Sequence, residues 1–434
     1  MNVLEDKLDN YRLSLNGKNF VPIMIGGMGV DISTVELALE AARLGGIGHI
    51  SDAMSPFVSD RRFKTHFSKT KADANKECAG DLDKSSVHFC LNDLREAQQN
   101  LVRSAMENKQ GDGAIFINIM EKLTMADPLP SLEARLLTAL DEGIDGITLS
   151  AGLHNNSLRM MENHKRFRDV LLGPIVSSAR ALRIFLRSAK RSNRLPDYIV
   201  VEGPLAGGHL GFGLDWKKYQ LETIVDEVLA FLKENDLNIP VIPAGGIFTG
   251  TDATSYIHRG ASGVQVATRF TVAKECGLPD VVKQKYFKAK EEEVVVNTVS
   301  PTGYPIRMLT TSPCLSSNIK PQCEPFGYVL EKGKCQYLDA YQETPCDAEG
   351  KKLPVEGKIC LCHHFSKHNC YTCGHYVYRL KDTTTKLADG TYLIPTAEEV
   401  FKDYQFSRNH EVQRAVTELS NGHLGSHPTN SAQV

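Results

Sequence analysis

The sequence predicts a (β/α)8 barrel of the TIM type with a cysteine-rich C-terminal extension. Three observations predict it. Eight short apolar runs recur along residues 21–268, mostly helical segments separate them, and the last two runs end in glycine or small-residue turns. The runs cover 21–25, 46–50, 114–119, 145–150, 173–177, 198–202, 240–244 and 263–268. They are continuously apolar rather than alternating, the pattern of parallel strands buried on both faces. Eight strands alternating with helices over about 270 residues match the size of such a barrel. A doubly wound open sheet is the rival, but Gly26-Gly27-Met28-Gly29 after the first run is not the dinucleotide-binding glycine pattern that sheet would carry.

The helices follow from spacing and caps. Ser33 with Glu36 three residues on reads as a capping box opening a helix that carries Leu37, Leu39, Ala41 and Leu44. Ser131 with Glu133 opens another, with Leu132, Leu136, Leu137 and Leu140. Residues 179–191 and 221–234 are amphipathic, and Lys190 and Arg191 read as a solvated face. The polar stretch of about 51–88 reads as an insertion after the second strand, on the face where barrel active sites lie. Residues 1–309 thus form the expected barrel, 310–420 an extension packing on it, and 421–434, small and polar, a disordered tail.

The formal charge of -2 gives no electrostatic reason to expect nucleic acid or an anionic membrane as partner. The polar, acidic N-terminus is not a secretory signal, and no apolar run is long enough to span a bilayer. The cytoplasm is the expected location. There the eleven cysteines read as thiols or metal ligands rather than disulfides. Eight of them fall between Cys314 and Cys373.

Two regions carry chemistry. The turns at Ala244-Gly245-Gly246 and Ala267-Thr268 follow strands seven and eight, where backbone N–H groups converge on phosphate in many barrels. Tight turns alone would also explain the glycines. At the end of the sixth strand, Glu202-Gly-Pro-Leu-Ala-Gly-Gly-His-Leu-Gly-Phe-Gly213 places His209 in a loop open to a planar ligand. A histidine there can exchange protons near neutral pH. In the tail, Cys360-Leu-Cys362 and Cys370-Tyr-Thr-Cys373 offer two closely spaced thiol pairs. They fit Zn2+, an iron–sulfur cluster if four thiolates converge, or free thiols. Cys314, Cys323, Cys335 and Cys346 are equally ligands or bystanders.

These motifs together resemble the nitronate monooxygenase (2-nitropropane dioxygenase) family, which includes the flavin-type enoyl-ACP reductases. The resemblance covers roughly 20–310 and rests on Pro22-Ile-Met-Ile-Gly-Gly-Met-Gly29, Ala206-Gly-Gly-His209, Ala244-Gly-Gly246 and Gly263-Val-Gln-Val-Ala-Thr-Arg-Phe270. It implies an FMN-dependent oxidoreductase. By position, Gly245, Gly246, Ala267 and Thr268 would hold the FMN phosphate. Met28, Gly29 and Asn118 would lie against the flavin, Ala206 and Gly207 would line it, and Glu202 would be close. His209 would be the catalytic residue handling the substrate proton. The flavin performs the redox chemistry and the protein orients it.

Departures from the family pattern bear on the substrate. Ala267 adds a methyl where glycine is usual, and Gly27 precedes Met28. No lysine occupies the fifth strand, and Val176-Ser177-Ser178, like Glu202-Gly203, leans towards the reductases. The first reading is oxidation of alkyl nitronates by dioxygen to a carbonyl compound and nitrite. The alternative is an NAD(P)H-dependent reductase of an acyl thioester, and a third is a flavin or cluster redox protein without turnover. The partner is thus a small-molecule substrate or acyl thioester. Oligomeric state is not legible, although barrels often pair as homodimers. Ser300-Pro-Thr-Gly-Tyr-Pro-Ile-Arg307 reads either as a linker or as a loop over the mouth offering Arg307 to an anion.

Overall fold

The computed structural model describes residue 8, residues 10–123 and residues 125–406; the expected tail at 421–434 lies outside them. Eight parallel strands close into a barrel: β1 (Ile23–Ile25), β2 (Ile47–Ser51), β3 (Ala114–Met120), β4 (Gly146–Ser150), β5 (Leu171–Val176), β6 (Ile199–Glu202), β7 (Val241–Ala244) and β8 (Val264–Val266). Each lies in one of the eight apolar runs. β8 returns to β1 with Val264 beside Ile23 and Val266 beside Ile25, so the sheet has no free edge.

Inward-facing side chains fill the barrel, among them Met24, Ile47, Phe116, Leu171, Val200 and Ile242. An antiparallel hairpin, Leu13–Leu15 with Lys18–Phe20, plugs the N-terminal end, and its Leu13, Leu15 and Phe20 join this interior cluster. One polar chain crosses the interior. His49 Nδ1 lies 2.7 Å from Ile25 O and its Nε2 2.6 Å from Thr148 Oγ1, which lies 2.6 Å from the Tyr198 hydroxyl. A carbonyl only accepts, so Nδ1 carries the proton and Nε2 accepts from Thr148. Burial holds this imidazole neutral, its pKa pushed down to about 4.

The helices at Ala179–Arg191 and Leu221–Glu234 stand where the sequence puts them. Two starts differ. Thr34, not Ser33, caps the first helix, Val35–Arg43, accepting from Leu37 N at 3.0 Å. Another helix begins at Pro128, three residues before Ser131, whose hydroxyl donates back to Asp127 O. Proline with its fixed φ and missing N–H suits a first helical turn, so the serine is not needed as a cap.

After β8 the chain leaves the ring for most of the cysteine-rich segment and then re-enters it. The last described helix, Ala397–Phe406, packs between the helix Val35–Arg43 and the helix Gly250–His258. That is the place of a barrel's eighth helix. Val400, Phe401 and Tyr404 join the main core there, and Arg269 pairs with Asp403 at 2.6 Å with both side chains buried. The segment between β8 and this helix crosses the C-terminal face of the barrel.

The insertion after β2 folds into helices Ser55–Phe63 and Phe67–Ala74 and a 3-10 turn Lys76–Gly80. Its root is held by an ion pair between Asp52 and Arg135, both fully buried, with Arg135 also donating to Met120 O. Removing one partner of such a pair leaves an uncompensated charge in the core. Asp52→Ala should cost about 3–5 kcal/mol in denaturant unfolding. A loss under ~1 kcal/mol would show that the pair does not anchor the insertion.

Candidate active site

The C-terminal ends of the strands assemble the site. After β1 the chain turns at Gly26–Gly29, and Ser33 holds that turn: its Oγ donates to Gly26 O at 2.9 Å and accepts from Met28 N at 2.8 Å. This is why Ser33 is not the helix cap. The turn presses on Asn118 at the end of β3, since a Cβ on Gly27 would lie 2.3 Å from Asn118 Cβ. It also touches the Gln265 side chain of β8, and Gly29 abuts Ala53. Met28, Gly29 and Asn118 therefore stand together at the mouth.

On the other side, Gly245 and Gly246 follow β7 with φ of +93° and +90°, in the left-handed region that glycine enters without strain. A Cβ on Gly245 would meet Ala206 N at 2.9 Å, so this turn and the loop after β6 are in contact. The other side of that loop meets the cysteine-rich segment. Gly207 packs on the backbone of Cys373 and Gly374, Gly374 packs on Thr268, and His375 N donates to Leu205 O at 3.1 Å. Ala206, Gly207, Gly245, Gly246 and Thr268 thus form one wall, and Ala267 precedes Thr268 at the end of β8. Beyond it, Thr249 and Asp252 cap the helix Gly250–His258 with a reciprocal box, so this helix start already has its own acceptors.

Residues 208–209 form a short strand that pairs with Ile306–Leu309, which in turn pairs with Val294–Asn297. The Pro- and Gly-punctuated segment at 300–307 is thereby fixed over the mouth. His209 Nε2 lies 2.7 Å from Ser300 Oγ, and Ser300 Oγ lies 2.8 Å from Thr302 Oγ1. Phe365 of the cysteine-rich segment stands edge-on to the His209 ring at 6.3 Å between centroids. Burial pushes His209 down to about 4, so its imidazole is neutral at physiological pH.

Arg307 is fully buried at the mouth. It donates to Ala206 O, and its guanidinium lies 4.4 Å from the Trp216 ring centroid. Its Nε and Nη2 are buried without a partner. Burial pushes Arg307 down to about 10 while Cys373 and Glu202 pull it up. Glu202 itself is pushed up to about 7 by burial, which Arg307 opposes.

The mouth therefore holds buried polar atoms with unmet demand: acceptors at Asn118 Oδ1 and Gln265 Oε1, and donors at Arg307. Orphaned buried groups are costly unless a ligand satisfies them. Acceptors and donors on opposite walls of a glycine-lined mouth fit a planar group with both N–H and carbonyl edges, and a flavin is such a group. The residues present fit FMN.

The four thiols proposed together as metal ligands separate. Cys360 and Cys362 border one cavity with Cys323 and Cys335. Cys370 instead hydrogen-bonds with Cys314, and Cys373 lies under Gly207 near Arg307. No three His, Cys, Asp or Glu side chains among the described residues converge as a single metal ion requires. Gln265, Ser300, Trp216 and Phe365 belong to the site without having been singled out. The signal for Ser300 was its motif; Phe365 had none.

With this geometry in place, a family model described as nitronate monooxygenase matches residues 15–336. The chain belongs to the nitronate monooxygenase family. Among curated proteins it is 27% identical over 191 residues to a probable nitronate monooxygenase of Staphylococcus saprophyticus, covering 44% of this chain and 49% of that protein. A probable nitronate monooxygenase of Staphylococcus aureus is 25% identical over 281 residues, covering 63% and 71%. A (3aS,4S,5R,7aS)-5-hydroxy-7a-methyl-1-oxo-octahydro-1H-indene-4-carboxyl-CoA dehydrogenase of Mycobacterium tuberculosis is 35% identical over 115 residues, covering 26% and 30%. The matches thus span about half or less of the first and third of these relatives. FabK from Thermotoga maritima superposes with a TM-score of 0.53 at 20% identity, covering 88% of this chain and 91% of that one. Nitroalkane oxidase from Streptomyces ansochromogenes gives 0.52 at 14% identity, covering 88% and 94%. At these identities the two structures bear on the fold alone. No described helix is long and apolar enough to cross a membrane.

The raised Glu202 has a testable sign. Below its ordinary value of 4.5 both folded and unfolded chains hold the proton, and Glu202 is neutral to stability. Between 4.5 and about 7 the unfolded chain releases it while the folded chain keeps it, so stability falls as pH rises. Flavin-free Glu202→Gln should therefore resist denaturant better than wild type at about pH 8 and match it at about pH 4. An advantage at the acid end instead would refute this assignment.

Proposed function

We propose that this chain is an FMN-dependent oxidoreductase that oxidises alkyl nitronates with dioxygen to a carbonyl compound and nitrite. The observation that carries this is His209: a neutral imidazole at the mouth, its Nε2 held at 2.7 Å by Ser300. FMN, when bound, would take electrons from the substrate and pass them to dioxygen. Gly245, Gly246, Ala267 and Thr268 would hold its phosphate, with Ala206 and Gly207 lining it. Asn118 and Gln265 would accept from its edge and Arg307 would donate to it. Met28 and Gly29 would lie against its ring, and Glu202 beside it.

The protein's own part is positioning and one proton. Ser300 Oγ can accept from Nε2–H of His209 while donating to Thr302 Oγ1. That arrangement leaves Nδ1 as a lone pair that, when the substrate arrives as the neutral nitroalkane, takes its α-proton and yields the nitronate that is then oxidised. Phe365 and the strand Ile306–Leu309 exclude water from that side. The rigid strand pairing of His209 with Ile306 keeps the imidazole from drifting.

A second reading has specific support: reduction of an acyl thioester by NAD(P)H through the same flavin. Val176-Ser177-Ser178 ends β5 without a lysine, and the local match to a carboxyl-CoA dehydrogenase points the same way. The two differ in electron donor. The purified protein should show an oxidised flavin spectrum that bleaches anaerobically with an alkyl nitronate and recovers in air. Bleaching by NADPH alone would replace the nitronate reading with the reductase, and absence of flavin would overturn both. His209→Ala should slow turnover of the nitroalkane by roughly 10²–10⁴-fold while flavin content stays that of wild type. An unchanged rate would remove His209 from proton transfer.

A further inference from the structure

The cysteine-rich segment holds a cavity distinct from the barrel mouth. Cys323, Cys335, Cys360 and Cys362 all line one small cavity, closed in by Leu330, Tyr337 and Leu338. Cys323 and Cys335 come from the loop before the helix Gln336–Glu343, while Cys360 and Cys362 flank the start of the helix Leu361–Ser366. Sequence separation gives no reason for these four to meet; the fold brings them together. All are free thiols, and a core built only for packing has no call for four sulfurs around one void.

Charge supplies the second observation. Lys71 of the insertion is buried, its Nζ donating to the carbonyl oxygens of Cys323 and Glu324 at 2.9 Å each and standing 4.6 Å over the Phe89 ring. Lys84, 1% exposed, pairs with the Glu324 carboxylate at 2.6 Å. Lys84 alone takes that carboxylate, whereas Lys71 reaches only the backbone carbonyl of Glu324 and has no ion pair of its own among the described residues. Buried charge without a paired counter-charge is costly, and an anion at this corner would offset that cost.

We propose that Cys323, Cys335, Cys360 and Cys362 ligate a [4Fe–4S] cluster, whose net negative charge meets Lys71. Zinc is disfavoured by geometry. Four thiolates on one Zn2+ each lie about 2.3 Å from it and crowd together, whereas no three described ligand side chains here converge that closely. Four thiols around one void suit a cubane, in which each thiolate takes its own iron. On ligation each thiol gives up its proton and forms one Fe–S bond. The cluster would join the two stretches of the segment to each other and, through Lys71, to the insertion after β2. Cys362 also packs in the hydrophobic group that contains Val30 and Ala53, beside the Met28–Gly29 turn, so the cluster would stand behind one wall of the flavin site.

The test uses the full chain, purified anaerobically and reconstituted with ferrous iron and sulfide. Iron, acid-labile sulfide, zinc and FMN are each measured per chain, with an electron paramagnetic resonance spectrum after dithionite. We expect about four iron and four sulfide per chain and a reduced-cluster signal. Cys335→Ser, at the half-buried edge of the cavity, and Cys323→Ser should lose most of the iron while FMN content reports that the barrel stands. Cys370→Ser and the exposed Cys346→Ser should keep it. Lys71→Gln should keep the iron and shift the cluster's reduction potential downward. Iron absent after reconstitution, zinc in its place, or equal losses in Cys370→Ser and Cys335→Ser would overturn the proposal. Because iron and flavin are read separately, its failure leaves the reading of the barrel mouth untouched.

Discussion

The ring of the barrel is completed by a buried ion pair. Arg269 follows β8, Asp403 lies on the last described helix, and their contact at 2.6 Å docks that helix beside β1. Stacking of Phe270 on Tyr404 and the Tyr404 hydroxyl bond to Ile247 O at 3.1 Å reinforce it. A parallel barrel needs a helix over every pair of strands, because both faces of the sheet are apolar. Here the covering helix for β8 and β1 arrives some 130 residues after β8, an interval read from the ends of the two elements.

That detour decides what the mouth looks like. A chain that leaves at the C-terminal end of β8 and returns to the outer ring must travel across the face where barrel chemistry occurs. On the way it sets the strand Ile306–Leu309 against His209, Arg307 against Ala206 and Trp216, and Phe365 against the His209 ring. Arg307 shows the physical consequence. Its guanidinium costs much to bury, and Ala206 O, Trp216, Cys373 and Glu202 offset part of that cost. The remaining donors are left for a ligand, which is how a site stores binding energy in advance.

The insertion after β2 and the segment after β8 also support each other. Lys84 N bonds Gly333 O, Lys71 Nζ donates to Cys323 O, and Phe57 stands edge-on to Phe326. Buried apolar side chains of the two stretches share clusters, so each covers the other. The polar, lysine-rich composition of 51–88 looks like a solvated loop by count. Two of its lysines are in fact interior, held by carbonyls and one glutamate.

The sequence by itself determined the barrel. Strands buried on both faces must be continuously apolar, so all eight were legible as runs, and the helices between them as one-sided periodicity. It also marked the glycine turns, because close approach and positive φ restrict residue choice there, and it singled out His209 by its place in a glycine-rich loop. What only the tertiary structure decided were the matters of partnership. Ser33 had the composition of a helix cap, but the turn at Gly26–Gly29 claims its hydroxyl and leaves the cap to Thr34. Arg307 read as part of a linker or as an anion-facing group over the mouth, and the strand pairing with Gly208 fixes it, buried, at the mouth. The cysteines paired by adjacency along the chain, Cys360 and Cys362 with Cys370 and Cys373, divide in space. Spacing records only local geometry, whereas which thiols face a common cavity depends on how helices far apart in sequence pack.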